Sequence, residues 1–197
     1  MRRRVSTPEI PTGSFWRVFP WDPQAAEGSR FSPSFLPNPT GRGRFDLPRD
    51  LSSVLYVAET PEHAVGEMVQ AWRGRPLASA HLLRAGLPLA LVELSIPGSS
   101  LKRLADLCDP DYLSRTQTAS DTLASRLRER TQPMARLVWD AGHHGLRWWS
   151  SFWGDWHTVV LFTAQVGESL RFGSPERLTP DHPAVRRAAD LLGMLPA

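Results

Sequence analysis

Prolines constrain this chain more than any other residue type. Pro20, Pro23, Pro33, Pro37, Pro39 and Pro48 fall between positions 20 and 50, interleaved with Gly28, Gly41 and Gly43. Each proline removes a backbone N–H and clashes with the preceding turn, so a long helix is forbidden here. An ordered loop of this length is uncommon in a compact domain unless it serves a site. Its last part, Gly41-Arg-Gly-Arg-Phe-Asp46, sets two arginines beside glycines whose backbone can approach a ligand closely.

The 197 residues suit one domain with a sizeable core. Cys108 is the sole cysteine, which excludes an internal disulfide framework and a cysteine-based zinc site. No apolar run approaches the roughly 20 residues of a membrane helix. Met1-Arg-Arg-Arg4 is followed by Ser6-Thr-Pro-Glu-Ile-Pro11 where a signal peptide needs an apolar stretch, so a cytoplasmic chain is expected. A pI near 9.7 suggests nucleic acid until the net charge of +3 is weighed. Lys102 is the only lysine, and the arginines are scattered rather than gathered in a stripe. Direct duplex binding is therefore not expected. Localised phosphate or pyrophosphate contacts, which suit a guanidinium fork, remain open.

Residues 1–14 lack periodicity and read as a loose arm ahead of a single domain over 15–197. Phe15–Phe19 reads as an edge strand and Val54–Ala58 as a second strand. Thr60 suits a helix N-cap, Pro61 the first helical position and Glu62 the positive first turn, with the helix running to about Trp72. At about 100° per residue, Ala64, Val65, Met68, Ala71 and Trp72 share one arc, while His63 and Gln70 fall outside it. Glu67 lies on the seam, where a carboxylate meets a cleft; periodicity alone favours a solvated flank, and His63, one turn before Glu67, could touch it but reads as solvated. Further on, His81–Gly86 suggests a short helical turn and Leu89–Ile96 a strand. Leu101–Cys108 reads as a short element and Asp121–Arg130 as a helix with Leu123 and Leu127 on one face. Pro133 should open another helix over Met134–Asp140. Gly145–Trp156 reads as a turn holding four of the eight tryptophans. Thr158–Ala164 is expected as a buried strand, Leu170–Phe172 as a short one, and Pro183–Met194 as a helix capped by Asp181. Strands separated by irregular and helical pieces imply a mixed α+β domain.

The chain has no G-x-x-x-x-G-K-[ST] phosphate loop, no G-x-G-x-x-G after a strand and no G-x-S-x-G elbow. His143-His144 are adjacent, point different ways and make a poor metal pair, so no metal is expected. Four pieces remain. They are Trp16-Arg17, then Gly43-Arg44-Phe45-Asp46, then Val54-Leu-Tyr56-Val-Ala58-Glu-Thr60 with Ala64 and Glu67, and Gly145-Leu-Arg-Trp148-Trp-Ser150 ahead of Val159–Phe162. In order and setting they resemble the RES domain family, named for its arginine, glutamate and serine and commonly the toxin half of toxin–antitoxin pairs with Xre-like partners. Three departures stand out. Arg-Phe-Asp replaces the family's Arg-Trp-Asn, Trp148 replaces the usual tyrosine, and the doubled Ser150-Ser151 shifts the serine by up to one position. Ser150 keeps the spacing from Gly145; Arg42 competes with Arg44 in the same way.

The resemblance implies a single compact α+β domain with a small mixed sheet like that of ADP-ribosyltransferases, flanked by helices. It also implies cleavage of the nicotinamide–ribose bond of NAD, as substrate and with no other cofactor. Glu67 would stabilise the oxocarbenium-like sugar, Arg44 and Arg17 would hold the pyrophosphate, and Tyr56 would stack on nicotinamide and orient it with its hydroxyl. Ser150 would donate to a phosphate or to the ribose. Each also has a plain structural reading: Tyr56 as a core tyrosine, Arg17 as a surface strand end, Ser150 as a turn cap. Water, inorganic phosphate and a protein side chain stay open as acceptors, which keeps a protein-modifying ADP-ribosyltransferase as the near alternative. A non-catalytic binding module built on arginine and tryptophan is the alternative of another class. An Xre-like antitoxin would be the protein partner, and exposed tryptophans would mark an interface, including one between copies.

Overall fold

The computed structural model describes residues 13–150 and 152–195. Most of the expected loose arm lies outside them, and Ser14 already belongs to the first strand. In chain order the elements are β1 (Ser14–Pro20), β2 (Val54–Ala58), α1 (Pro61–Val69), β3 (Leu83–Arg84) and β4 (Leu87–Ser95). Next come α2 (Gly98–Leu101), β5 (Leu104–Asp106), α3 (Pro110–Arg115), α4 (Ser120–Ala124), α5 (Arg128–Asp140) and β6 (Gly145–Trp149). The chain closes with β7 (His157–Phe162), α6 (Thr163–Val166), β8 (Arg171–Phe172), β9 (Glu176–Arg177) and α7 (Pro183–Leu192). No long helix interrupts positions 20 to 50, as the proline density requires.

The sheet runs β3-β4-β1-β2-β7-β6-β5, with β8 and β9 also on β4. Every pairing is antiparallel except β5 with β6. That parallel pair needs a long crossover, which α3, α4 and α5 supply. The sheet is mixed, and the domain is α+β as expected. Its two halves are each well zipped: β1 pairs β4 from Ser14 opposite Ser95 to Pro20 opposite Leu89, and β2 pairs β7 from Val54 opposite Phe162 to Ala58 opposite Thr158. Between the halves, β1 and β2 meet only where Trp16 faces Ala58. Beyond that point the strands part, and Arg17 and Val18 of β1 stand across a cleft from Tyr56 and Val57 of β2.

Both faces of the sheet are covered. On β7, Val160 and Phe162 join Phe45, Leu146, Ala135 and Val138, while Val159 and Leu161 join Phe15, Leu55, Leu94 and Val166. A strand buried on both sides reads as one continuous apolar run, which is why β7 is legible in the sequence. A third cluster packs α1 and α7 against β4 through Val65, Leu89, Leu91, Val185 and Leu192. Among the described residues no helix is long and apolar enough to cross a membrane.

Five expectations need correction. Strand β1, expected at an edge, lies inside the sheet between β4 and β2. The helix expected over Asp121–Arg130 breaks after Ala124, leaving Leu123 buried and Leu127 exposed. Pro133 lies inside α5 rather than opening a helix; the turn before it is held by Thr131, whose hydroxyl donates to the Arg44 carbonyl. Gly145–Trp149 is a strand, because its inward side chains Leu146 and Trp148 fill the core. The cap of α7 is His182, whose ring nitrogen accepts from the Ala184 amide, not Asp181.

One end of the β2-β7-β6-β5 half is tied by buried charge. Arg147 on β6 is 2% exposed, with Nε on Glu59 and Nη1 3.2 Å from both carboxylate oxygens of Asp106. His157 Nδ1 lies 3.3 Å from the other Glu59 oxygen. Burial alone would raise the Glu59 carboxyl, but hydrogen bonds from His157 and Arg147 outweigh it and hold it below its ordinary 4.5. Replacing Arg147 by Leu strands two carboxylates and should cost about 3–5 kcal/mol in urea unfolding. Because Glu59 titrates lower when folded, the unfolded chain takes up that proton first as pH falls, and the stability it contributes near neutrality is lost below about pH 4.5. The melting temperature should fall less steeply with acidification in Glu59→Gln than in the parent, read by scanning calorimetry.

Candidate active site

The parting of β1 and β2 opens a cavity of about 550 Å3, within the roughly 300–1,000 Å3 of small-molecule sites. Helix α1 starts two residues after β2, so its second turn hangs over the cleft. Its start follows the sequence logic: Thr60 Oγ1 accepts from the His63 amide at 3.2 Å, and Pro61 takes the first position. Glu67 lines the cavity, its side chain 35% exposed. Ser150 Oγ donates to Glu67 Oε1 at 2.8 Å, and His63 Nε2 is 3.1 Å from the same oxygen. Among the described residues Oε2 has no hydrogen-bond partner.

His63 is not solvated. It is 1% exposed and stacked on Trp156, with ring centroids 5.1 Å apart and planes at 21°. The tryptophan-rich segment after β6 folds back over α1 and covers its polar flank, a contact that helical periodicity cannot foresee. Trp156 comes so close that a Cβ on Gly66 would lie 2.4 Å from its ring. A mid-helix glycine costs about 1 kcal/mol relative to alanine; here the space it leaves is filled by an indole.

Arg44 and Arg17 both line this cavity. Arg44 Nη2 donates to the Leu123 carbonyl, and the guanidinium lies 4.1 Å from the Trp148 ring centroid. Burial lowers its pKa. Gln132 fixes the loop beneath, its Nε2 bonding the carbonyls of Gly41 at 3.1 Å and Gly43 at 2.9 Å. Arg42 is exposed and does not line the cavity, which separates it from Arg44. Arg17 donates to the Phe35 carbonyl at 2.7 Å, and burial lowers its pKa to about 10, which still leaves it cationic at neutral pH. Arg126, exposed on the α4–α5 linker, also lines the cavity. None of these three forms a salt bridge among the described residues. Three guanidiniums around one carboxylate make a site suited to an anion.

The structure reassigns two hydroxyls. Tyr56 presents its ring to the cavity, but its OH donates to Asp46 Oδ1 at 3.1 Å and accepts from the Phe45 amide at 2.9 Å. It is committed to the loop rather than to a bound ring, and burial pushes the phenol well above its ordinary range. Ser150 is 3% exposed and spends its hydrogen on Glu67, so it holds the carboxylate instead of donating to a phosphate or ribose. Ser151 lies outside the described residues. The exposed tryptophans expected at an interface are absent: all eight are buried or half-buried, with Trp148 under Arg44 and Trp156 over His63. Among the described residues no group of three His, Cys, Asp or Glu could hold a metal ion. Sequence reasoning missed Arg126, which carries no local signal, and the burial of His63, for which Gly66 inside the helix was the available hint.

The model of the RES domain matches residues 13–181, and the chain belongs to that family. Among solved structures it is similar to the toxin in the crystal structure of the M. tuberculosis MbcT–MbcA toxin–antitoxin complex, with TM-score 0.57 and 17% identity over 87% of each chain. None of the curated proteins compared with it matches.

Gly43 makes the loop testable. A Cβ there would fall 2.2 Å from Asp46 Oδ1 and 2.4 Å from the Tyr56 hydroxyl, whereas nothing lies within 4 Å of one on Gly154. Gly43→Ala should destabilise by about 1–3 kcal/mol, and Gly154→Ala should be close to neutral, both read by urea unfolding.

Proposed function

We propose that this chain is a toxin that destroys cellular NAD by breaking the bond between nicotinamide and ribose. The observation that supports this best is Glu67, held through Oε1 by Ser150 and His63, with Oε2 left for a cavity that also holds Arg17, Arg44 and Arg126. When the bond breaks, its electron pair leaves with the nicotinamide nitrogen, which becomes neutral. Positive charge then builds on the sugar, where Oε2 of Glu67 stabilises it. The pyrophosphate carries the negative charge that the guanidiniums attract. The Tyr56 ring offers the nicotinamide a flat face. An acceptor oxygen or nitrogen then adds to the sugar carbon and loses its proton.

Membership of the RES family and a fold shared with a toxin–antitoxin toxin favour this reading over an inert binding module. They also favour an antitoxin of Xre-like type as the partner, with the cytoplasm, where NAD is abundant, as the place of action. Labelled NAD separates the acceptors: free ADP-ribose means hydrolysis, a phosphate-dependent product means phosphorolysis, and label on protein means ADP-ribosyl transfer. Salt-dependent binding to polynucleotides with NAD left intact would instead indicate the binding module.

Glu67→Gln should lower kcat for NAD loss by about 10²–10³-fold while the melting temperature stays near the parent's. NAD consumption at the parental rate would overturn the proposal. Arg44→Met removes a charged donor and should weaken kcat/KM by about 10–100-fold.

A further inference from the structure

We infer that His63 is a positioning residue for Glu67. The inference rests on the reading of Glu67 as the working carboxylate. A glutamate on a helix flank is flexible, and one that is 35% exposed beside a cavity could swing between solvent and substrate. Two donors prevent this by converging on Oε1: Ser150 Oγ at 2.8 Å and His63 Nε2 at 3.1 Å. Of the two, His63 is the more rigid anchor. Its ring is 1% exposed, stacked against Trp156 and backed by Thr158 Oγ1 at 3.5 Å from the same nitrogen.

The unpaired nitrogen strengthens the case. Among the described residues His63 Nδ1 is buried with no hydrogen-bond partner. A leucine at this position would pack against Trp156 and α1 without that cost, so packing does not explain the imidazole. The arrangement also fixes the tautomer. With the proton on Nε2, the ring donates to the carboxylate and leaves only a lone pair unmatched. With the proton on Nδ1, a buried N–H is orphaned and a lone pair faces Oε1. The geometry therefore assigns Nε2–H, and among the described residues Oε2 alone is left without a hydrogen-bond partner.

His63→Leu removes the donor and keeps the bulk, and His63→Gln restores a donor that reaches Oε1 from one turn earlier. A carboxylate displaced by about 1 Å can lose up to about 10²-fold in rate. His63→Leu should therefore lower kcat for NAD by about that factor with KM changed little, and His63→Gln should recover most of the loss. Parental kcat in His63→Leu, a change confined to KM, or equal impairment of the two variants would overturn the inference. Nitrogen-15 NMR of the unaltered protein gives a readout independent of turnover and of how the variants fold. It should show the Nε2–H tautomer, with that resonance moving in Glu67→Ala. An Nδ1–H tautomer would overturn the role of His63 even if NAD is consumed. A parent that leaves NAD intact would refute the proposed function, and the NMR result alone would then decide the position of His63.

Discussion

A single backbone junction, Trp16 opposite Ala58, joins two well-paired half-sheets, and the site depends on it. Adjacent antiparallel strands ordinarily lie about 4.7–4.9 Å apart and leave no room for a ligand. Here β1 is committed to β4 and β2 to β7 along their whole lengths, so neither has to follow the other. The cleft exists because each strand is fully satisfied on its far side. Helix α1 then starts immediately beyond the junction, which fixes where its second turn, and thus Glu67, must fall.

The proline-rich segment has its physical role in the same frame. Leaving β1 and returning to β2, it brings Gly43 and Arg44 to the cavity wall and must be held without a helix or strand of its own. Side chains do this: Arg17 bonds the Phe35 carbonyl, Gln132 bonds those of Gly41 and Gly43, and Thr131 bonds that of Arg44. The loop is thus fastened from β1 and from the first turns of α5. Burial of Arg17 and partial burial of Arg44 lower the effective dielectric around them and strengthen their interaction with a bound anion.

Legibility in the sequence followed the range of the interactions. β1, β2, α1 and β7 could be read because their signals are local: β-branched runs, a Thr-Pro start, a continuous apolar stretch. The boundary between α4 and α5 could not, since the turn before Pro133 is held by a bond to Arg44 far away in the chain. The site divides in the same way. Glu67, Arg44, Arg17 and Tyr56 were placed by their family pattern, and the structure brings all four to one cavity. Ser150 was named but its partner was not, because a bond from the end of β6 to α1 leaves no trace in spacing. His63 was misplaced for the same reason: a wheel describes one helix, and the ring is buried by a segment nearly a hundred residues later, as its neighbour Thr158 indicates.

The departure from the family pattern at Asp46 has a local explanation. Its carboxylate is 6% exposed and surrounded by donors: Tyr56 OH on Oδ1, and Thr40 Oγ1 and the Gly43 amide, each at 3.0 Å, on Oδ2. Tyr56 already accepts from the Phe45 amide, so its own hydrogen must go to Asp46. The Gly43 amide can only donate. Oδ1 and Oδ2 are therefore both required as acceptors, which a carboxylate provides and an asparagine, with one oxygen and one NH2, does not. In this chain, an acid in place of the family's amide lets the arginine loop close against Tyr56 and still face the cleft.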